Sequence, residues 1–300
     1  MARPEHGRWV GICLIVTSAL GFASIGPLGK VAYRGGFSVV ELQLLRFLAA
    51  APVLGVAAAA TGRSTAGPRL GGSTRLRLLA LGFVGYGVQA TLYFTALTRI
   101  SASLTSLLLY LYPALVAGAA VAVGRHRLDR ATLVGLVLIF AGTALVLGLP
   151  TGRSDPIGVG LGVGSALWYT AYLLVGERLA GGTDPLVVAA HVTVGATLWF
   201  ALGLLALRPD LGNGRGSAVA AGLAMAMVGT AVPIAALFAG MARVGVTWAS
   251  IGSALEPVAA VALAVVFLGE DLGPGTVLGG TAVVLGAVVL PLLAGRSSAP

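Results

Sequence analysis

The sequence predicts an all-α integral membrane protein: ten transmembrane helices arranged as two inverted five-helix repeats. Three observations carry this prediction. The 300 residues are 57% hydrophobic and 10% charged, with a mean hydropathy of +0.97. Apolar runs of ~20 residues, enough to cross a bilayer core of ~30 Å, recur between short turn-forming segments. The second half also resembles the first. A soluble domain carries ~25% charged residues to coat its surface, and a disordered chain is polar and charged. Both classes are excluded.

The runs fall at 9–29, 40–60, 76–97, 101–123, 132–149, 156–178, 185–207, 217–241, 247–268 and 275–294. Turn chemistry separates them: Arg34-Gly35-Gly36, Gly67-Pro68, Asp155-Pro156, Asp184-Pro185, Arg208-Pro209 and Gly273-Pro274. No connection is long enough for an extramembrane domain. The run from Trp9 to Gly29 is too long for a cleavable signal peptide, and no A-x-A site follows it.

Net charge is +9 and the isoelectric point near 10.6, yet the basic residues form no stripe that could track phosphates. No nucleic-acid partner is expected, and the excess is a topology signal instead. With both termini inside, twelve Lys and Arg fall on the cytoplasmic side and six on the other, with Arg46 inside the second span. That predicts a multi-pass protein of the cell inner membrane with both ends cytoplasmic. Cys13, the single cysteine, supports no disulfide or thiolate cluster. It reads as a small packing residue.

Sliding the chain by 144 residues aligns 94–142 with 238–286 without a gap. Phe94/Phe238, Arg99/Arg243, Ser106/Ser250 and Pro113/Pro257 carry the most weight, because chance matches in such a chain are mostly Ala, Leu, Val and Gly. A weaker match pairs Ser18 with Ser165. The repeats are assigned to 1–150 and 151–300. Each holds five helices, an odd number, so the second copy crosses the membrane in the opposite sense. Inverted repeats point to alternating access around a site near the midplane.

The five-plus-five repeat, the matched Pro113 and Pro257, and Glu256-Pro257 followed by Gly269-Glu270 resemble the EamA branch of the drug/metabolite transporter superfamily. The resemblance covers roughly 9–294 and extends to the bacterial exporters of amino acids, aromatic ones included. It implies ten helices, a central cavity lined by helices 1, 3, 4, 6, 8 and 9, and export of small metabolites. One departure stands out. The first half has Tyr112-Pro113 and Gly124-Arg125 where the second has Glu-Pro and Gly-Glu, so any role of those acids rests on the second copy.

Ionisable groups cost ~2.5–3.5 kcal/mol at a membrane helix centre, so the few polar residues within spans are candidates for function. Tyr86, Gln89 and Tyr93 share one face of the third span, and Ser165, Trp168, Tyr169 and Tyr172 one face of the sixth. Each stripe reads either as helix packing or as a cavity wall with flat rings and a few polar groups. Pro113 and Pro257 each leave a carbonyl without its N–H partner, at Leu109 and Ser253, and are the candidate hinges. Tyr110, Tyr112, Ser253 and Glu256 surround these kinks. The substrate-binding set is therefore Ser18, Tyr86, Gln89, Tyr93, Tyr110, Trp168, Tyr169, Tyr172, Ser253 and Glu256.

Arg46 stays open between a site residue and a snorkelling side chain, Glu41 is a helix cap, and His191 a hydrogen-bonded packing residue. The run Gly158-Val-Gly160-Leu-Gly162-Val-Gly164 fails dinucleotide spacing and reads as small-residue packing through Gly158/Gly162 and Gly160/Gly164. No Walker A, HExxH or GxSxG occurs, so no catalytic residues, metal or cofactor are expected. The expected function is secondary transport of amino acids or related metabolites, with the bilayer and a small solute as partners and a monomer as the unit. A membrane enzyme acting on lipid-linked substrates and a water-filled channel are the alternatives. The exact substrate and the coupling ion are left open.

Overall fold

A computed structural model describes residues 5–60, 71–97, 99–100, 102–122, 130–147, 155–207, 216–268 and 273–286. The Gly124-Arg125 and Gly269-Glu270 pairs lie outside these residues. Among the described residues there is no strand, and the helices group into ten apolar segments. α1 is Glu5–Ala23 continued by Ile25–Arg34, and α2 is Val39–Ala60. α3 joins Gly72–Ala80, a π-helical stretch Leu81–Tyr86, and Gly87–Leu97. α4 is Ala102–Leu109 and Tyr112–Ala122, and α5 is Arg130–Leu147. α6 is Pro156–Ala180 and α7 is Pro185–Leu207. α8 joins Gly216–Ala226, a second π-helical stretch Met227–Ala231, and Val232–Val244. α9 is Val246–Ser253 and Glu256–Leu268, and α10 begins as Pro274–Val284.

Local chemistry sets these boundaries. Ser38 and Glu41 form a reciprocal capping box at the start of α2: the Ser38 amide donates to Glu41 Oε2 (2.7 Å) and the Glu41 amide to Ser38 Oγ (3.3 Å). α6 and α7 both start at Asp-Pro. Asp155 accepts from the Ile157 amide and Asp184 from the Leu186 amide, each at 2.9 Å, while the proline needs no partner at the first helical position. Arg99 bonds Asp155 at 3.0 Å and holds its carboxyl below the usual carboxylate range. α1 runs past the expected end at Gly29. Pro27 offers no N–H to the Ala23 carbonyl, so the helix breaks at Ser24 and then continues to Arg34; the turn after it passes through Gly36, whose φ of +100° suits glycine.

Among the described residues, six segments (α1, α2, α3, α6, α7 and α8) are long and apolar enough to cross a membrane. Their surface is inverted relative to a soluble protein. Val266 is 74% exposed and Leu205 70%, whereas Ser18, Thr143, Ser165 and Thr193 are fully buried. Such exposed apolar faces are stable against lipid tails, not water. Cys13 is on this outer face, which corrects its reading as a packing residue.

The helices pack in matched pairs. α1 lies against α8 as α3 lies against α6, and α2–α7 and α5–α10 form two further pairs, each joining a helix to its own repeat equivalent. At α5–α10 the match is atomic: a Cβ on Gly142 would come within 2.6 Å of the Gly279 carbonyl, and one on Gly286 within 2.6 Å of the Gly135 carbonyl. Both helix breaks also recur at the same interval, since Leu109 and Ser253 end their half-helices 144 residues apart. The π-helical stretches of α3 and α8 begin at Leu81 and Met227, 146 residues apart.

The glycine run of α6 divides in two. A Cβ on Gly158 would meet Ile100 Cγ2 at 2.7 Å and Arg99 Cβ at 2.9 Å, and one on Gly162 would meet Leu108 at 2.7 Å. Gly160 faces open space and Gly164 has only a 3.9 Å neighbour, so close packing belongs to Gly158/Gly162 alone. Gly158→Leu is expected to lower stability by about 1–3 kcal/mol through overpacking, while Gly160→Leu leaves it unchanged. Thermal melting in detergent compares them, and equal melting temperatures would contradict the assigned helix rotation.

Candidate functional site

The two proline breaks bring the interior chemistry together. Pro113 cannot bond the Leu109 carbonyl, and the first half of α4 ends there; Pro257 does the same to Ser253 in α9. Tyr110 and Leu111 form the turn in α4, Ala254 and Leu255 the turn in α9. The half-helices restart at Tyr112 and Glu256, so a tyrosine and a carboxylate occupy equivalent positions in the two breaks. The Tyr110 hydroxyl lies beside Glu256 and the Tyr112 hydroxyl beside Ser253. Among the described residues Glu256 forms no ion pair.

From this junction a ladder of rings crosses the bundle. Tyr112 meets Tyr169 edge-on at 4.8 Å between centroids, Tyr169 stacks on Tyr172 at 5.8 Å, and Tyr172 meets Tyr86 at 5.9 Å. Tyr86 then meets Phe47 at 5.0 Å, Phe47 stacks on Phe200 at 5.8 Å, and Phe238 flanks Tyr172 at 6.4 Å. Edge-to-face and offset contacts of this kind add ~0.5–1.5 kcal/mol each beyond area burial. The ladder therefore draws on α2, α3, α4, α6, α7 and α8, with α2 and α7 in place of helices 1 and 9 of the expected lining.

At the end of the ladder remote from Glu256 sits Arg46, 2% exposed. Its guanidinium lies over the Phe47 ring at 4.4 Å and donates from Nη2 to the Tyr86 hydroxyl at 2.7 Å. Burial rules out a snorkelling side chain. One turn earlier Gln43 is fully buried, and neither its amide nitrogen nor its oxygen has a hydrogen-bond partner; Arg46 Nε has none either.

The expected site residues separate into two groups. Tyr86, Tyr110, Tyr169, Tyr172, Ser253 and Glu256 fall on the ladder or at its proline end. The others bridge helices. Ser18 donates to the Pro233 carbonyl at 2.9 Å, tying α1 to α8, and Gln89 Nε2 donates to Ser165 at 3.1 Å, tying α3 to α6. Tyr93 shares a 3.1 Å hydrogen bond with Ser106 of α4. Trp168 is 38% exposed on the flank of α6 and donates to the Val84 carbonyl at 3.2 Å. His191 bonds the Val187 carbonyl of its own helix at 2.8 Å. Sequence reasoning missed Gln43, Phe47, Phe200 and Phe238, and left Tyr112 and Arg46 out of the set. The spacing Gln43-x-x-Arg46 inside an apolar helix is a signal that could have found the polar pair.

Tyr172 is 3% exposed and touches three rings, whereas Trp168 keeps an open face. Tyr172→Ala is therefore expected to cost ~3–5 kcal/mol, in the range of large aromatic deletions from cores, and Trp168→Ala less than half of that. Chemical denaturation of the two variants in detergent measures the difference.

Comparison with known proteins agrees with this architecture. The EamA-like transporter family model matches residues 9–148 and 156–291. The threonine/homoserine exporter RhtA of Escherichia coli strain K12 is 28% identical over 145 residues, covering 48% of this chain and 47% of that protein. RhtA of Escherichia coli O157:H7 matches equally. The chain thus spans about half the length of the curated relatives it matches. A solved crystal structure, 22% identical, aligns with a TM-score of 0.82 over 99% of this chain and 100% of its own, which shows the shared fold. With the family model covering both halves of the sequence, the chain belongs to the EamA-like transporter family.

Proposed function

We propose that this protein is an inner-membrane secondary transporter that exports amino acids or related small metabolites by alternating access. The observation that carries this reading is the equivalent pair of proline breaks in α4 and α9, with Glu256, Ser253, Tyr110 and Tyr112 around them. Unsatisfied backbone at membrane depth is tolerated where protein or cavity water covers it, and broken helices at such depth are a hallmark of carrier sites. The name of the RhtA relatives, threonine/homoserine exporter, supports the substrate class.

In this reading residues 1–150 and 151–300 are inverted repeats. The double match of the family model and the 144-residue spacing of the breaks support that division. Pro113 and Pro257 are hinges about which helix groups rock. Tyr86, Tyr169 and Tyr172 present flat faces and hydroxyls to a solute, and Glu256 receives its ammonium group or a coupled proton. Ser18, Gln89, Tyr93 and Trp168 set the positions of the helices that carry this wall.

Uptake of a panel of labelled L-amino acids into proteoliposomes, with and without a pH gradient, tests the proposal. Transport of at least one is expected, and a protein that folds and carries none would refute it. Glu256→Gln should preserve the melting temperature while cutting transport or flattening its pH dependence; unchanged transport at every pH removes Glu256 from the mechanism. The Lys and Arg distribution supports a cytoplasmic side for both termini and the 61–75 segment. Reporter fusions near Thr65 and at Pro300 should both report cytoplasm, and a periplasmic signal from either overturns the orientation.

A further inference from the structure

We propose that Gln43 and Arg46 of α2 form a carboxylate-binding subsite, which takes the carboxylate of the transported solute. This rests on the amino-acid transport reading above, but the site itself is argued from the side chains.

Arg46 cannot shed its proton, and it is 2% exposed with its guanidinium packed over Phe47. Among the described residues it forms no ion pair. The acid nearest in sequence, Glu41, is held by Ser38 in the capping box. A buried cation without a counter-charge is strongly unfavourable unless an anion joins it. One hydrogen bond, to Tyr86, is made, and Nε is left over. The planar guanidinium fork matches a carboxylate better than a spherical anion.

Gln43 supplies the second, independent observation. Residues three apart share a helix face, so Gln43 projects from the same face of α2 as Arg46; it is fully buried, and among the described residues its amide nitrogen and oxygen both lack a hydrogen-bond partner. A packing role would suit leucine better, because buried amide groups without partners are costly. An oxyanion held between Arg46 Nε and the Gln43 amide nitrogen satisfies both donors. Tyr86, bonded to Arg46, joins this subsite to the tyrosine ladder, so a solute anchored here lies against the rings.

The experiment has two arms. In detergent, melting temperature is read with phenylacetate, phenylacetamide and sodium chloride on wild type, Arg46→Met and Gln43→Leu. Phenylacetate alone is expected to raise the wild-type value and to fail on Arg46→Met. The empty Arg46→Met protein should melt no lower than wild type, since an uncompensated charge has been removed. A merely structural Arg46 would instead give a less stable variant, and an equal response to chloride would mark a general anion site; either result overturns the proposal. In proteoliposomes, each amino acid that wild type carries is competed with its own carboxamide. Wild type should prefer the carboxylate form, and Gln43→Leu should raise the half-saturation concentration roughly tenfold or more, as for loss of a hydrogen bond to a charged group. Carboxamides competing as well as amino acids in wild type would refute the subsite while leaving the transport reading standing. Phenylacetate stabilisation without transport of any amino acid would refute the transport reading, and with it the assignment of the anion to a transported solute.

Discussion

Hydrocarbon offers no hydrogen bonds, and the rest of this structure depends on that constraint. Every backbone polar group must find a partner inside the protein, so the described residues are helical apart from turns, helix ends and the short breaks. The same constraint sorts side chains. Many valines and leucines face outward, such as Val266 and Leu205, while Ser18, Thr143, Ser165, Gln43 and Arg46 are drawn inward. Where proline removes a backbone donor, the carbonyl it abandons must be covered from within. The breaks at Leu109 and Ser253 consequently sit among tyrosine and serine hydroxyls.

Rings fill the interior that these breaks open. Tyrosine suits the position, since its ring packs as a hydrophobe and its hydroxyl meets the scattered polar groups. Arg46 and Glu256 terminate the arrangement, a guanidinium toward one end and a carboxyl group at the other, neither paired with the other among the described residues.

Composition and hydropathy made the fold class legible, because burial in lipid leaves a signal in every span. The kinks were legible too: Pro113 and Pro257 identify by themselves which carbonyls lose a partner, and the helices end at those residues. The site was legible only in part. Helical spacing places Ser165, Trp168, Tyr169 and Tyr172 on one stripe, but the rotation of α6 turns Ser165 to α3, Trp168 outward and the two tyrosines to the ladder. A single sequence carries no information on that rotation. Gln43 went unnoticed because residue type alone does not tell a bonded amide from an unbonded one, and only its missing hydrogen-bond partners among the described residues distinguish it. Cys13 is chemically at home in a core or in lipid, so its residue type could not choose.

The exchange of glycine contacts between α5 and α10 has a consequence for how this interface changes with sequence. Gly142 meets the carbonyl of Gly279 while Gly286 meets that of Gly135, so equivalent positions 144 apart trade places across the contact. Such a surface is its own complement, as in a two-fold dimer. Were the halves separate copies of one chain, any new side chain would enter the interface twice, and a bulky one would collide at both ends together. Joined in a single chain, each end accepts substitutions alone. The two ends can therefore acquire different tightness, and the helix pair can become a wedge that opens more readily toward one side of the membrane than the other.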